Sequence, residues 1–335
     1  MTAPTLIESV AHTTSLRDRD HLNCAVARLL LTFLDAELVT IYQLIDDNGV
    51  KRVARSIELA RGEGEPKAEV ESEPASLPVL AEVPVWQDCV LRRDVVQHMS
   101  PNGLYCNVFP VSGERDVVGI LEIQAVADLQ PRDVGLVSGI LRIFKNHLAL
   151  LDYGERDTLT GLLNRKTFEA SFDKLRQRLN NLLPGGEPSW LGMVDIDKFK
   201  SINDSHGHLF GDEVLLLVGQ IMKRNFRGAD QLFRFGGEEF VIVLDRASLE
   251  GAQIAFERLR TQVEGHQFPQ VGRVTISLGY TRIDSQDGPS ACVERADAAL
   301  YYAKQHGRNR VCNYEALVTS GELFITQKHE DIELF

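Results

Sequence analysis

Apolar residues recur at helical spacing from Leu22 to Leu34, and a largely apolar run follows from Leu38 to Ile45. The first pattern predicts a helix, whose side chains share a face every 3.6 residues, and the second, short and ended by a turn, reads as a strand. A turn at Asp46–Gly49 makes Val50–Leu59 the hairpin partner of that strand. Residues Gly62–Leu77, rich in Gly, Glu, Pro and Ser, read as a loop. Strand patterns return at Leu104–Val111 and Val117–Ile123, around a turn at Ser112–Arg115, and a helix starts near Pro131. Along that helix Val137, Leu141, Phe144, Leu148 and Leu151 follow each other at intervals of four and three. This is a heptad seam, although one face of an ordinary packed helix gives the same pattern.

The second half predicts a helix from Arg165 to about Leu183, a loop at Pro184–Ser189 and a buried strand at Trp190–Asp197. An amphipathic helix over Asp212–Phe226 follows, then a hairpin over Leu232–Leu244, a helix over Glu250–Val263 and a strand over Val274–Tyr280. A helix over Ala291–Gln305 stops at Gly307. The tail from Ala316 holds a strand-like Leu323–Thr326 and an acidic, amphipathic Asp331–Phe335.

At 335 residues, 44% hydrophobic and 25% charged, the chain has the size and balance of about two globular domains. Its formal net charge of −12 argues against sequence-independent binding to a nucleic-acid polymer, which needs a basic face. Cys24, Cys89, Cys106, Cys292 and Cys312 are scattered without zinc spacing, as reduced thiols of a cytoplasmic protein would be. The first residues lack the basic start and apolar run of a signal peptide. The longest apolar region, Cys24–Ile45, is interrupted by Arg28, Asp35 and Glu37, so no segment is expected to span a bilayer and no membrane partner is expected.

The chemistry concentrates at Gly236-Gly237-Glu238-Glu239-Phe240. Glycines allow close approach of backbone to a ligand, and adjacent carboxylates suit a hard divalent cation. Alone, such a tip is more often a solvated turn. It is accompanied by Asp157-Thr-Leu-Thr-Gly-Leu-Leu-Asn-Arg165, Asp195-Ile-Asp-Lys-Phe-Lys200, Asn203-Asp-Ser-His-Gly-His208, Gly211-Asp-Glu-Val-Leu215 and Ala299–Asn309. With these six stretches in order, residues 156–315 resemble a GGDEF diguanylate cyclase domain, with Glu238 in place of the Asp of the name motif. The first half, with its Val117–Ile123 strand before a Pro131-Arg-Asp133 helix start, resembles a GAF domain. The expected fold class is therefore α+β. A GAF-like regulatory domain (1–133) would be joined by a connecting helix (134–155) to a palm-like, mainly antiparallel sheet flanked by helices (156–315), with a tail at 316–335.

The resemblance implies roles residue by residue. Asp195, the carbonyl of Ile196 and Glu238 would hold Mg²⁺, or Mn²⁺ in its place. Asp197, on the same strand face as Asp195, would be a further ligand or a supporting group. Asn203 and Asp212 would read the guanine edge, with Phe199 beside the nucleotide and Gly236 and Gly237 against its phosphates. Lys200, Lys304 and Arg308 would neutralise phosphate, with Lys304 and Arg308 spaced to share a helix face. Glu239 would organise the attacking hydroxyl or a metal. Arg227 and Asp230 form an RxxD sequence separated from Gly236 by the five residues Gln231–Phe235, where the family carries an inhibitory site for its product, and Arg258 would add a further arginine. The implied reaction condenses two GTP into cyclic di-GMP across a homodimer. A receptor that binds GTP or cyclic di-GMP without turnover is the alternative. No P-loop is present.

Overall fold

The structure is a computed structural model that describes residues 3–47, 49–64, 67–68, 76–113, 116–181 and 187–323. The chain divides into two compact units, Met1–Gly154 and Glu155–Phe335.

The first unit comprises α1 (Ala3–Ser15), α2 (Arg19–Phe33), β1 (Leu38–Asp47), β2 (Val50–Ala60), β3 (Lys67–Ala68), α3 (Pro84–Arg92), β4 (Val96–Met99), β5 (Tyr105–Ser112), β6 (Val117–Ala125) and α4 (Pro131–Glu155). Its six strands form one antiparallel sheet in the order β3-β2-β1-β6-β5-β4. Successive side chains of a strand point to opposite faces. Phe109, Leu121 and Ile123 accordingly meet α2 and α4, while Val108 and Ile120 meet Cys89 of α3. Asp18 caps α2 by accepting from the backbone of Asp20 and His21.

Glu114 and Arg115 of the turn after β5, and most of the glycine-rich loop, fall outside the described residues. Within that loop, however, Lys67–Ala68 pair with β2.

Of the two readings of the α4 pattern, its packing in this unit matches the ordinary packed helix. Val137, Leu141, Phe144 and Leu151 are buried, and Leu148 packs against them, in the core of the first unit itself. The seam is the core face of a packed helix. Exposed apolar residues lie elsewhere on α4, at Ile143, Leu150 and Tyr153. The expectation that no segment could span a bilayer is corrected. By length and composition α4 is apolar enough, because its core-facing stripe adds to these exposed residues.

The second unit comprises β7 (Leu163–Asn164), α5 (Arg165–Asn181), β8 (Ser189–Ile196), α6 (Phe199–His206), α7 (His208–Asn225), β9 (Gln231–Arg234), β10 (Glu239–Leu244), α8 (Leu249–Gly265), β11 (Gln267–Phe268), β12 (Gly272–Arg273), β13 (Ile276–Ile283), α9 (Pro289–Gln305), β14 (Val311–Asn313) and α10 (Tyr314–Thr319). The main sheet has the order β14-β13-β8-β10-β9-β7. Its two outer pairs are parallel and its inner pairs antiparallel. Every residue of β8 is buried, because helices cover both faces. Val194, Ile196, Phe240 and Ile242 pack with Val214, Val218 and Met222 of α7 and Phe256 of α8. Leu191, Met193, Val241 and Val243 pack with Phe168 and Phe172 of α5 and Ala296 and Leu300 of α9.

Gly279 sets the depth at which α9 lies on the sheet. A Cβ there would stand 2.1 Å from the nitrogen of Leu300 and 2.3 Å from the oxygen of Ala296. The tail expectations at Leu323–Thr326 and Asp331–Phe335 fall almost entirely outside the described residues. Residues 314–319 before them are helical.

Candidate active site

The site forms where β8 and β10 run side by side. Asp195, near the end of β8, stands opposite Glu239 on one side and Ser277 on the other. The N–H of Ile196 donates to the carbonyl of Glu238 at 3.3 Å, which fastens the hairpin tip to the end of β8. Lys304, in the last turn of α9, places Nζ 2.8 Å from Asp195 Oδ2. The close approach of α9 allowed by Gly279 thus delivers a cation onto a carboxylate that is only 4% exposed. Burial pushes the Asp195 carboxyl up, and Lys304 offsets part of that shift. Burial and the nearby Asp195 push Glu238 up as well. Two acids that crowd each other in this way suit a cation between them.

Among the described residues no three His, Cys, Asp or Glu side chains gather closely enough to form a metal cluster. Asp195, Glu238 and the Ile196 carbonyl nevertheless fit Mg²⁺. That ion takes hard oxygen ligands and commonly uses one or two carboxylates, leaving its other positions to water and phosphate.

The glycines of the tip work differently from a tight hairpin turn. Neither has a positive φ; β10 pairs with β8 from Glu239 and with β9 from Phe240, and the N–H groups of Phe235 and Gly236 donate to the carbonyl of Glu239 at 2.8 and 3.3 Å. A Cβ on Gly236 would lie 2.6 Å from Glu239 Oε2, so the missing side chain makes room for that carboxylate. A Cβ on Gly237 would meet nothing within 4 Å, which leaves the tip open.

Asn203 lies on α6 and Asp212 on α7, two helices joined through Gly207 at φ 88°. The helices close so tightly that a Cβ on Gly211 would stand 2.0 Å from Asn203 Oδ1. Asp212 is the next residue and is exposed. Phe199 is buried at 6% exposure, and its ring tip lies 3.2 Å from the same Gly211 position. Lys200 is exposed and enters no ion pair among the described residues.

Lys304 and Arg308 do not share a helix face. Helix α9 ends at Gln305, and Arg308 follows in left-handed backbone at φ 63°. Sequence spacing holds only while a helix continues.

Arg227 is exposed at the start of its turn. Asp230 accepts from the N–H of Arg227 at 2.9 Å and from that of Asp245 at 3.3 Å. Burial pushes its carboxyl up despite both bonds. Arg258 donates through Nε to Asn225 Oδ1 and through Nη2 to Asn225 O, at 2.7 Å each. It is therefore held two residues before Arg227.

A residue that the sequence reading passed over completes the arrangement. Arg234 donates to both carboxylate oxygens of Asp157 at 3.1 Å, and to the carbonyls of Gly236 and Gly237 at 3.2 and 2.9 Å. Its signal was present, as an arginine beside the glycines and an otherwise unassigned aspartate opening the Asp157–Arg165 stretch.

With this geometry in hand, the comparisons define the class. Residues 155–310 match the family described as diguanylate cyclase, GGDEF domain, and this half of the chain belongs to that family. The chain is 40% identical over 158 residues to diguanylate cyclase DgcP of Pseudomonas aeruginosa, covering 46% of this chain and 23% of that protein. It is 37% identical over 191 residues to diguanylate cyclase A of Treponema denticola, covering 55% of this chain and 51% of that protein. It thus spans about half the length of these relatives or less. Among solved structures it is similar to the GGDEF domain of DgcB from Caulobacter crescentus in complex with c-di-GMP. There the identity is 33%, the coverage 48% of this chain and 94% of that one, and the TM-score 0.45.

Proposed function

We propose that this protein is a diguanylate cyclase that condenses two GTP into cyclic di-GMP with release of two pyrophosphates. The observation that carries the reading is the junction of Asp195, Lys304 and the Glu238–Glu239 tip within a GGDEF domain. Asn203 and Asp212 bind guanine, whose N1–H and amino group give a carboxylate two donors that adenine lacks. Lys304, Arg308 and Lys200 offset phosphate charge. Mg²⁺, or Mn²⁺, held by Asp195, Glu238 and the Ile196 carbonyl, would lower the pKa of the attacking 3′-hydroxyl and offset charge on phosphoryl oxygens. The 3′-oxygen of one GTP forms a bond to the α-phosphorus of the other as the bond to pyrophosphate breaks. A second such step closes the ring. Glu239 organises the hydroxyl, and the chain contributes chiefly position and electrostatics.

Each domain holds one GTP, so the active form is a homodimer. The exposed Ile143, Leu150 and Tyr153 of α4 supply an apolar stripe for it. Residues 1–133 act as a GAF-like regulatory module, a reading supported by the antiparallel sheet with helices on both faces. The product binds at Arg227 and Asp230 with Arg258 nearby and inhibits the enzyme. The protein works in the cytoplasm, where GTP is supplied.

The test is incubation of the chain with GTP and Mg²⁺, with product identified by mass. Cyclic di-GMP from wild type, and none from Asp195→Ala or Glu238→Ala, is expected. Binding of GTP without any dinucleotide, after bound product is stripped, would instead support the receptor alternative.

A further inference from the structure

We infer that Asp197 is a positioning residue that sets Arg308 for the nucleotide phosphates, and that it is not a metal ligand. This rests on the cyclase reading of Arg308. Asp197 is 7% exposed, and both of its oxygens are filled by this chain. Oδ1 accepts from the Ser277 hydroxyl at 2.6 Å. Oδ2 accepts from the Thr275 hydroxyl at 2.7 Å and from the backbone N–H of Asn309 at 3.0 Å. Its own N–H donates to the carbonyl of Thr275 at 2.9 Å. A carboxylate with three donors on two oxygens has little left for a cation.

The Asn309 bond is the consequential one. Gly307, Arg308 and Asn309 carry φ values of 106°, 63° and 45°, three left-handed residues in succession. Left-handed backbone is unfavourable for residues with a Cβ, so the turn persists only where partners fix it. Those partners lie on every side of Asn309. Its N–H goes to Asp197, its side-chain oxygen accepts from Arg260 Nη1 at 2.9 Å, and its side-chain nitrogen donates to Glu264 Oε1 at 2.9 Å. The N–H of Arg308 donates to the carbonyl of Ala303 at 3.0 Å. The guanidinium itself is exposed, so these backbone ties determine where it starts from.

The two acids of Asp195-Ile-Asp197 thus divide their work. Asp195 meets Lys304 directly, and Asp197 holds the loop that carries Arg308. Each acid of the pair is linked to one cation, Asp195 to Lys304 in the last turn of α9 and Asp197 to Arg308 in the turn after it.

A double-mutant cycle on the full chain tests this. Binding of the non-hydrolysable analogue guanosine 5′-(β,γ-imido)triphosphate is titrated at several Mg²⁺ concentrations. Asp197→Ala and Arg308→Ala should each weaken binding about tenfold, and the double variant should be no weaker than Arg308→Ala within about twofold. The Mg²⁺ concentration for half-maximal binding should be the same in Asp197→Ala and wild type. Asp197→Asn, which keeps one acceptor for Asn309, should recover most of the affinity and serves if the alanine variant does not fold. Full additivity, an unchanged affinity in Asp197→Ala, or a raised Mg²⁺ requirement in either Asp197 variant would overturn the inference. Failure of wild type to bind the analogue would overturn the cyclase reading, and this inference with it.

Discussion

Arg234 holds Asp157 through both carboxylate oxygens and, with the same guanidinium, holds the carbonyls of Gly236 and Gly237. The start of the domain is thereby tied to the tip that carries Glu238. The two side chains are only 15% and 22% exposed, so the pair is partly shielded from solvent. Arg234→Ala should cost about 2 kcal/mol of stability, the range for hydrogen bonds to charged groups. Arg234→Lys should not rescue it, because a single ammonium cannot reproduce a fork that spans a carboxylate and two carbonyls. Thermal melts of the three proteins check this.

The same pair gives a pH dependence of definite sign. Burial pushes the Asp157 carboxyl up, but hydrogen bonds from Thr160 and the Arg234 guanidinium outweigh it and hold the group below its usual range. A carboxyl with a lower pKa folded than unfolded stabilises above the unfolded value, and loses that contribution as pH falls through the folded one. Stability should therefore drop below about pH 4. Asp157→Asn should be less stable at neutral pH and show a shallower acid limb in denaturant melts across that window.

Gly211→Ala should act on substrate without unfolding the domain. The added carbon would meet Asn203 Oδ1 at 2.0 Å, the free end of a side chain that can turn away. Moving it removes one guanine contact, so the KM for GTP should rise about tenfold with a smaller change in kcat. A thermal midpoint within a few degrees of wild type would separate this from unfolding.

Gly279→Ala should behave in the opposite way. Its carbon would meet the backbone of α9, which cannot step aside. Overpacking of this kind costs about 1–3 kcal/mol or more and would lift Lys304 from Asp195. The expected outcome is a large loss of thermal stability together with activity.

These positions show what the amino-acid pattern reveals and what it hides. The largely apolar runs of Leu38–Ile45 and Trp190–Ile196 announce strands because each is short, ended by a turn or by acids, and largely buried within its sheet. Helix α3 and strand β4 are too short to repeat a pattern, and α6 ends after eight residues at Gly207. The site motifs were legible as residue types in order. The partner of each was not. That Asp197 faces Thr275, Ser277 and Asn309, or that Arg234 reaches Asp157, depends on strand register and on the turn after α9. The pattern on α4 could not choose between its two readings for a physical reason: a packed core face and a dimer seam have the same spacing.

Product control separates Arg227 from Asp230. Arg227 is exposed and contributes only its backbone to the local turn, whereas Asp230 bonds two backbone N–H groups. Arg227→Ala should abolish inhibition by added cyclic di-GMP and leave stability within about 0.5 kcal/mol of wild type. Asp230→Ala should lose inhibition and also cost about 1 kcal/mol, because two backbone donors lose their partner. Initial rates with added product, beside melts, distinguish the two.

The most direct measurement of the central claim is product stoichiometry. The full chain is supplied with GTP and Mg²⁺, and cyclic di-GMP and pyrophosphate are quantified over time. The account predicts two pyrophosphates for each cyclic dinucleotide, with both lost in Glu238→Gln. Pyrophosphate without a dinucleotide, or neither product from chain freed of bound nucleotide, would contradict it.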